Sequence, residues 1–210
     1  MSRNAAPPLL EAKGLSFYRQ DECIFGPLDF CLRAGDLRLV EGDNGSGKTT
    51  LMRILTGLLR HDEGELRWRG ELMTGPRRDG ELLFLGHQLG LKHELTAREN
   101  LAVAVGLHGL RPGREIAATL ADIGLNGYED ELVRSLSAGQ KKRVALARLM
   151  VIPGTLWLLD EPYANLDRAG IDMVNQILLQ HTGSGGAALV TGHGAVSFLG
   201  DHAARIRMHD

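Results

Sequence analysis

The run Gly42-Asp43-Asn44-Gly45-Ser46-Gly47-Lys48-Thr49-Thr50 has the residue types and the spacing needed to hold a polyphosphate. Glycine lets the backbone curl so that successive N–H groups aim at phosphate oxygens, and a helix starting here adds the partial positive charge of its N-terminus. Lys48 is placed to neutralise β- and γ-phosphates, and the Thr49 hydroxyl to ligate Mg²⁺. Further along, the uncharged run Leu156-Trp157-Leu158-Leu159 ends abruptly in Asp160-Glu161. Successive residues at a strand end point in different directions, so Asp160 suits a Mg²⁺ shell while Glu161 suits polarisation of an attacking water as general base. A third segment, Ser137-Ala138-Gly139-Gln140, is a small-residue turn before a basic helical stretch. It offers a second phosphate-binding helix start, with the Ser137 hydroxyl and backbone N–H groups as donors. Taken without the first loop, the same residues would make an ordinary capped helix with a solvated basic face.

A phosphate loop works only between a strand and a helix, and the flanking sequence supplies both. Residues 37–40 are an apolar strand; after the loop, Leu51, Ile54, Leu55 and Leu58 fall on one helical face, with Gly57 near the end. Upstream, residues 9–41 alternate short apolar runs with turn signals at Gly26-Pro27 and at Ala34-Gly35-Asp36, which predicts antiparallel strands. Residues 65–68 read as a strand, 73–80 as a polar loop and 82–85 as an apolar strand. The middle, about 91–135, is built differently. Thr96 and Glu99 fit a capping box before 101–107, and 114–123 is amphipathic and stopped by Gly124, which predicts a helical insertion leading into a helix over 137–150. Strands return at 155–159 and 187–191 with a helix near 168–180 between them. The expected fold is α/β, a mostly parallel sheet with an antiparallel β subdomain at the N-terminus and inserted helices.

Length and composition bound the possibilities. A chain of 210 residues is most simply one domain. Lys and Arg total 24 against 26 for Asp and Glu, so there is no global basic field, and nucleic acid is not an expected partner. No stretch approaches a membrane-spanning apolar run, and the chain is expected to stay in the cytoplasm. Cys23 and Cys31 stand too far apart for a Cys-x-x-Cys pair and read as structural.

Taken in order, these features resemble the ABC ATPase family. Leu136-Ser137-Ala138-Gly139-Gln140, running into Lys141-Lys142-Arg143-Val144-Ala145-Leu146-Ala147-Arg148, is similar to that family's signature and its helix, with Ala138 where glycine is commonest. The resemblance runs from Tyr18 to His193 and implies one nucleotide-binding domain over 1–210, a P-loop NTPase cassette that hydrolyses ATP with Mg²⁺. It further implies that Gln88 senses Mg²⁺ and couples to a membrane partner. Asn165-Leu166-Asp167 would contact a facing subunit, His193 would touch the γ-phosphate, and Tyr18 would stack on adenine. Two copies would face head to tail, so that Ser137, Gly139 and Gln140 of one complete the site of the other. The stretch 85–96 with Glu99-Asn100-Leu101, together with residues 136–149 and 156–167, is similar to one branch, the ATP-binding export proteins of cytochrome c biogenesis. That likeness implies a peripheral subunit on the cytoplasmic face of the bacterial inner membrane, partnered by integral membrane subunits of the cytochrome c maturation complex. Its hydrolysis would be tied to haem delivery and release of a haem-loaded chaperone. His87 and His93 are not expected to ligate haem. Another cargo, or a soluble ABC ATPase acting on ribosomes or DNA, are the competing readings; the second cassette or long coiled coil of the latter is missing.

Overall fold

The computed structural model describes residues 7–75, 80–192 and 203–208. Strands β1 (Leu10–Arg19) and β2 (Glu22–Leu32) form a hairpin, and β4 (Glu63–Trp68) and β5 (Glu71–Leu72) extend it into an antiparallel sheet of order β2-β1-β4-β5. The second sheet is parallel, of order β6-β7-β8-β3-β9, built from β3 (Leu37–Glu41), β6 (Leu82–Leu85), β7 (Leu156–Leu159), β8 (Ala187–Thr191) and β9 (Ala204–Arg207). Helices α1 (Lys48–Leu55), α2 (Ala97–His108), α3 (Ile116–Asp122), α4 (Ala138–Val151) and α5 (Arg168–Gly183), with a short 3₁₀ helix at Val133–Ser135, complete the described elements.

The period-two alternation of the central strands explains the layering. On β7, Leu156 and Leu158 join one apolar cluster and Trp157 and Leu159 the other, because neighbouring side chains leave a strand on opposite faces. One face packs on Leu51, Met52, Ile54 and Leu55 of α1 and, beyond them, on Leu10, Leu15, Phe25 and Leu32 of the antiparallel sheet. The opposite face packs on Leu101 of α2, Leu120 near the end of α3, Leu146 of α4 and Leu178 of α5. Helix α1, which begins at the phosphate loop, is thereby held between the two sheets.

Two local expectations are corrected. Gly26-Pro27 is a cis peptide inside β2 and not a turn; the chain reverses at Gln20 and Asp21, both at positive φ (50° and 64°), in a two-residue hairpin loop. Leu58 does not share the buried face of α1: the helix ends at Leu55, and Leu58 is 66% exposed. The capping box at α2 is present as expected, with the Glu99 N–H donating to Thr96 Oγ1 (3.1 Å) and the Thr96 N–H to Glu99 Oε2 (2.8 Å).

Candidate functional site

The phosphate loop leaves β3 and enters α1 through Gly47, whose φ of 85° is the left-handed conformation that a side chain resists. A Cβ at this position would also stand 2.8 Å from Ile24 Cγ2 and 3.0 Å from Phe25 Cδ1, so β2 covers the loop too closely for anything but glycine. No side chain caps α1, which leaves its first N–H groups to face outward from the loop. Lys48 is buried, and its ammonium donates to the carbonyls of Gly42 and Asp43, each at 2.7 Å. An ammonium carries three donors, so one beyond these two can meet a phosphate oxygen. Ser46 Oγ is buried without a hydrogen-bond partner among the described residues, and Gly42 backs directly onto it. Asp43, Asn44, Gly45 and Thr49 are exposed and Thr50 is half-buried.

In the same sheet, with β8 between it and β3, β7 delivers Asp160 and Glu161 at its C-terminal end. Asp160 is 2% exposed, and its Oδ1 accepts the Thr191 hydroxyl at 2.8 Å; the same hydroxyl oxygen accepts the Glu161 N–H at 2.8 Å. Glu161 adopts a φ of 50°, rare for a residue with a Cβ, and its carbonyl accepts from Lys142 Nζ at 3.0 Å. The backbone of Glu161 is thus gripped on both sides of its Cα.

Gln88 lies exposed in the loop after β6. The loop around it is fixed: Arg148 of α4 donates to the carbonyls of Leu89 (2.9 Å) and Gly90 (2.7 Å), and buried Asn100 of α2 exchanges hydrogen bonds with the backbone of Lys92. Burial pushes the Arg148 pKa down from its ordinary value. Tyr18 stands half-exposed at the end of β1, opposite Cys23 on β2, the strand whose Ile24 and Phe25 cover Gly47. The negative charge of Glu63 raises its phenol pKa.

At the start of α4, Ser137 and Gln140 form a capping box, with the Gln140 N–H donating to Ser137 Oγ (3.2 Å) and the Ser137 N–H to Gln140 Oε1 (2.8 Å). The box uses the Ser137 oxygen as acceptor, so its O–H remains a donor. Ala138 opens the helix and is not among the residues at positive φ, which accounts for alanine where glycine is commoner. Ser137, Gly139 and Gln140 share an open concavity of about 590 Å³ with Asn165 and Asp167. Asp167 has a structural task too, since its Oδ1 caps α5 at the Gly170 N–H (2.8 Å). Among the described residues, none of the 42–50 loop lines this concavity. His193 lies outside the described residues.

Two residues of this site escaped the sequence. Thr191 read only as a strand end, and Lys142 only as part of the basic helix that follows the signature turn. In the structure Lys142 is 6% exposed, and Arg143 donates to the Ile123 carbonyl at 3.1 Å. A signal was present: Lys142 shares the helical spacing of the buried residues Ala145, Leu146 and Leu149 and occupies an apolar face.

A parallel sheet with a phosphate loop after one strand, an acidic pair after another, and a second helix start presenting small residues defines an ATP-binding cassette. The ABC transporter family model matches residues 25–164, and the chain belongs to that family. Particular relatives are more specific. The chain is 54% identical over 192 residues to "Cytochrome c biogenesis ATP-binding export protein CcmA" of Xanthomonas campestris pv. campestris, covering 91% of this chain and 90% of that protein. It is 47% identical over 197 residues to the CcmA protein of Xylella fastidiosa (93% and 92% covered), and 46% identical over 194 residues to that of Yersinia pestis (90% and 89%). Among solved structures, an ATP-binding subunit of an ABC transporter aligns at a TM-score of 0.82 and 22% identity, covering 96% of this chain and 86% of that one. A putative ABC transporter ATP-binding protein from Pyrococcus furiosus aligns at 0.82 and 21%, covering 95% and 97%. These structures bear on the fold alone.

Proposed function

We propose that this chain is the ATP-hydrolysing subunit of a bacterial ABC export complex for cytochrome c maturation, coupling ATP binding and hydrolysis to haem delivery and release of a haem-loaded chaperone. The observation that carries this is the identity of 46–54%, over about nine-tenths of both chains, with CcmA proteins. The residues fit a nucleoside triphosphate: the uncapped start of α1, the Lys48 ammonium and the unpartnered Ser46 hydroxyl converge where phosphates would lie. Thr49 and Asp160 would hold Mg²⁺, with Gln88 sensing it. When bound, Mg²⁺ neutralises developing charge on the phosphates. Lys48 and the loop N–H groups orient the triphosphate, Glu161 takes the proton of the attacking water, Tyr18 stacks on adenine, and His193 adds a contact to the γ-phosphate.

The signature concavity is separate from the phosphate loop, which favours a head-to-tail pair in which Ser137, Gly139 and Gln140 of one copy complete the site of the other. No helix of the described residues is long and apolar enough to cross a membrane. Integral membrane subunits at the cytoplasmic face of the inner membrane would meet the Gln88 loop and the helices over 91–135. There a groove of about 340 Å³ is lined by Phe84, Gly90, Val103, Leu107 and Arg148, with Leu107 well exposed.

In the full chain purified with its membrane subunits, Glu161→Gln keeps ATP affinity and loses hydrolysis by about 10²- to 10⁴-fold. Near-normal turnover in that variant would remove Glu161 as the base. In the cell, deletion abolishes holo-cytochrome c and leaves haem synthesis intact; normal cytochromes would point to another cargo.

A further inference from the structure

We infer that Lys142 is a positioning residue for hydrolysis: its ammonium fixes the backbone of Glu161 and ties the signature helix to the hydrolytic carboxylate of the same chain. The inference rests on the reading of Glu161 as general base.

Lys142 lies on α4, in the helix that Ser137 and Gln140 cap, and it is buried within the apolar stripe of Ala145, Leu146 and Leu149. A lysine in such a stripe is expensive to bury unless its charge is met. Its Nζ donates to the Glu161 carbonyl at 3.0 Å, and the charges of Asp160 and Glu161 act on it favourably. Burial lowers its pKa, and those two carboxylates work against that shift. The contact is aimed at a strained point. Glu161 has a φ of 50°, a conformation that persists only when its surroundings over-determine it. Hydrogen bonds on both sides of the Cα do so: Thr191 Oγ1 accepts from the Glu161 N–H, and the Glu161 carbonyl accepts from Lys142 Nζ and, at 3.3 Å, from the Ala164 N–H. The side chain that must reach the attacking water therefore hangs on a backbone hinge whose two ends are held from β8 and from α4.

This placement separates two tasks within one helix. Ser137, at the exposed end of α4, faces outward into the concavity, while Lys142 reaches inward to β7. Neither Lys142 nor its carbonyl partner belongs to the phosphate loop, so nucleotide affinity is independent of the contact and only the chemical step depends on it.

The test compares Lys142→Met, Lys142→Arg and Glu161→Gln in the full chain purified with its membrane subunits. Methionine keeps the length and apolar stem and removes the ammonium. Expected for Lys142→Met are ATP affinity and KM within about twofold of wild type and kcat lower by about 10- to 100-fold, the scale of a displaced catalytic group. Lys142→Arg, which keeps a cationic donor, recovers most of the loss. In a Glu161→Gln background, Lys142→Met brings no further loss of hydrolysis, because the group it positions is gone. A purely structural lysine would instead lower affinity and kcat together with the melting temperature. Should Lys142→Met fail to fold, Lys142→Gln, with a shorter neutral donor, serves in its place, with a kcat loss of about 3- to 10-fold at unchanged affinity. Wild-type kcat in the folded variants, while Glu161→Gln abolishes hydrolysis, overturns the inference and leaves the base assignment standing. Equal loss of affinity and kcat, or a further loss in the Glu161→Gln background, also overturns it. Normal hydrolysis by Glu161→Gln overturns the underlying reading itself.

Discussion

Replacing Thr191 by valine removes one hydroxyl from the centre of the parallel sheet and nearly nothing else. Thr191 is 0% exposed, pairs with Val40 of β3, and its hydroxyl serves two partners at 2.8 Å, as donor to Asp160 Oδ1 and acceptor from the Glu161 N–H. Valine keeps the branched shape, so packing is preserved and the loss is polar. A hydrogen bond to a charged acceptor is worth about 1.5–3 kcal/mol, and a buried N–H left unpaired costs about 1–3 kcal/mol. Glu161 is only half-buried, so its N–H falls at the low end of that range. The nearby Lys142 ammonium still offsets part of the Asp160 charge. Together these give about 2–4 kcal/mol, a large share of a typical total of about 5–15 kcal/mol. Urea unfolding of the nucleotide-free chain, followed by circular dichroism and by the fluorescence of buried Trp68 and Trp157, measures it. With a slope of about 2–3 kcal/mol per molar urea, the midpoint falls by about 0.7–2 M and the slope stays unchanged. Thr191→Ser keeps the hydroxyl and loses one methyl, about 1 kcal/mol. Coincident midpoints for the valine and serine variants, or a valine variant within about 0.5 kcal/mol of wild type, would refute the network.

The other expectations concern the loop and a buried histidine. Gly47→Ala forces a Cβ into the left-handed region and against Ile24 and Phe25, so it costs about 1–3 kcal/mol and weakens ATP binding by at least about tenfold in a fluorescent-nucleotide titration. Unchanged affinity would mean that β2 yields and the loop is not constrained there. His181, 5% exposed and stacked on Trp157 at 3.8 Å between ring centroids, has its pKa lowered to about 4, chiefly by burial and then by Arg111. Its unfolded value is higher, near 6.5, so the unfolded chain binds more protons between these values. Stability is therefore fully present above pH 6.5 and falls toward pH 4, by about 3 kcal/mol from this group. His181→Gln should flatten the stability profile in that window; an identical slope in wild type and variant would remove His181 as the cause.

How much of this was legible beforehand can be seen residue by residue. The loop of residues 42–49 was readable because its conformation depends on glycines and on a helix start, both local properties. The capping box at Thr96 was likewise set by residues three apart on one turn, whereas the one that Ser137 and Gln140 form was not read. The unbroken apolar run of residues 156–159 announced a buried strand, and the structure buries it on both faces. Gly26-Pro27 misled because the same dipeptide makes a turn or an irregularity within a strand, and only the pairing of Leu15 with Leu28 decides which.

The chain by itself determined the phosphate loop, the acidic pair, the signature turn and the α/β alternation, since each is written in neighbouring residues. Only the tertiary structure decided which groups hold the acidic pair in place. Thr191 and Lys142 lie far from Glu161 in sequence, on β8 and α4, and meet it because the parallel sheet sets β8 beside β7 while α4 packs across the same face. A basic residue in a helix carries no local mark of whether water or a strained carbonyl will take its protons; packing alone makes that choice.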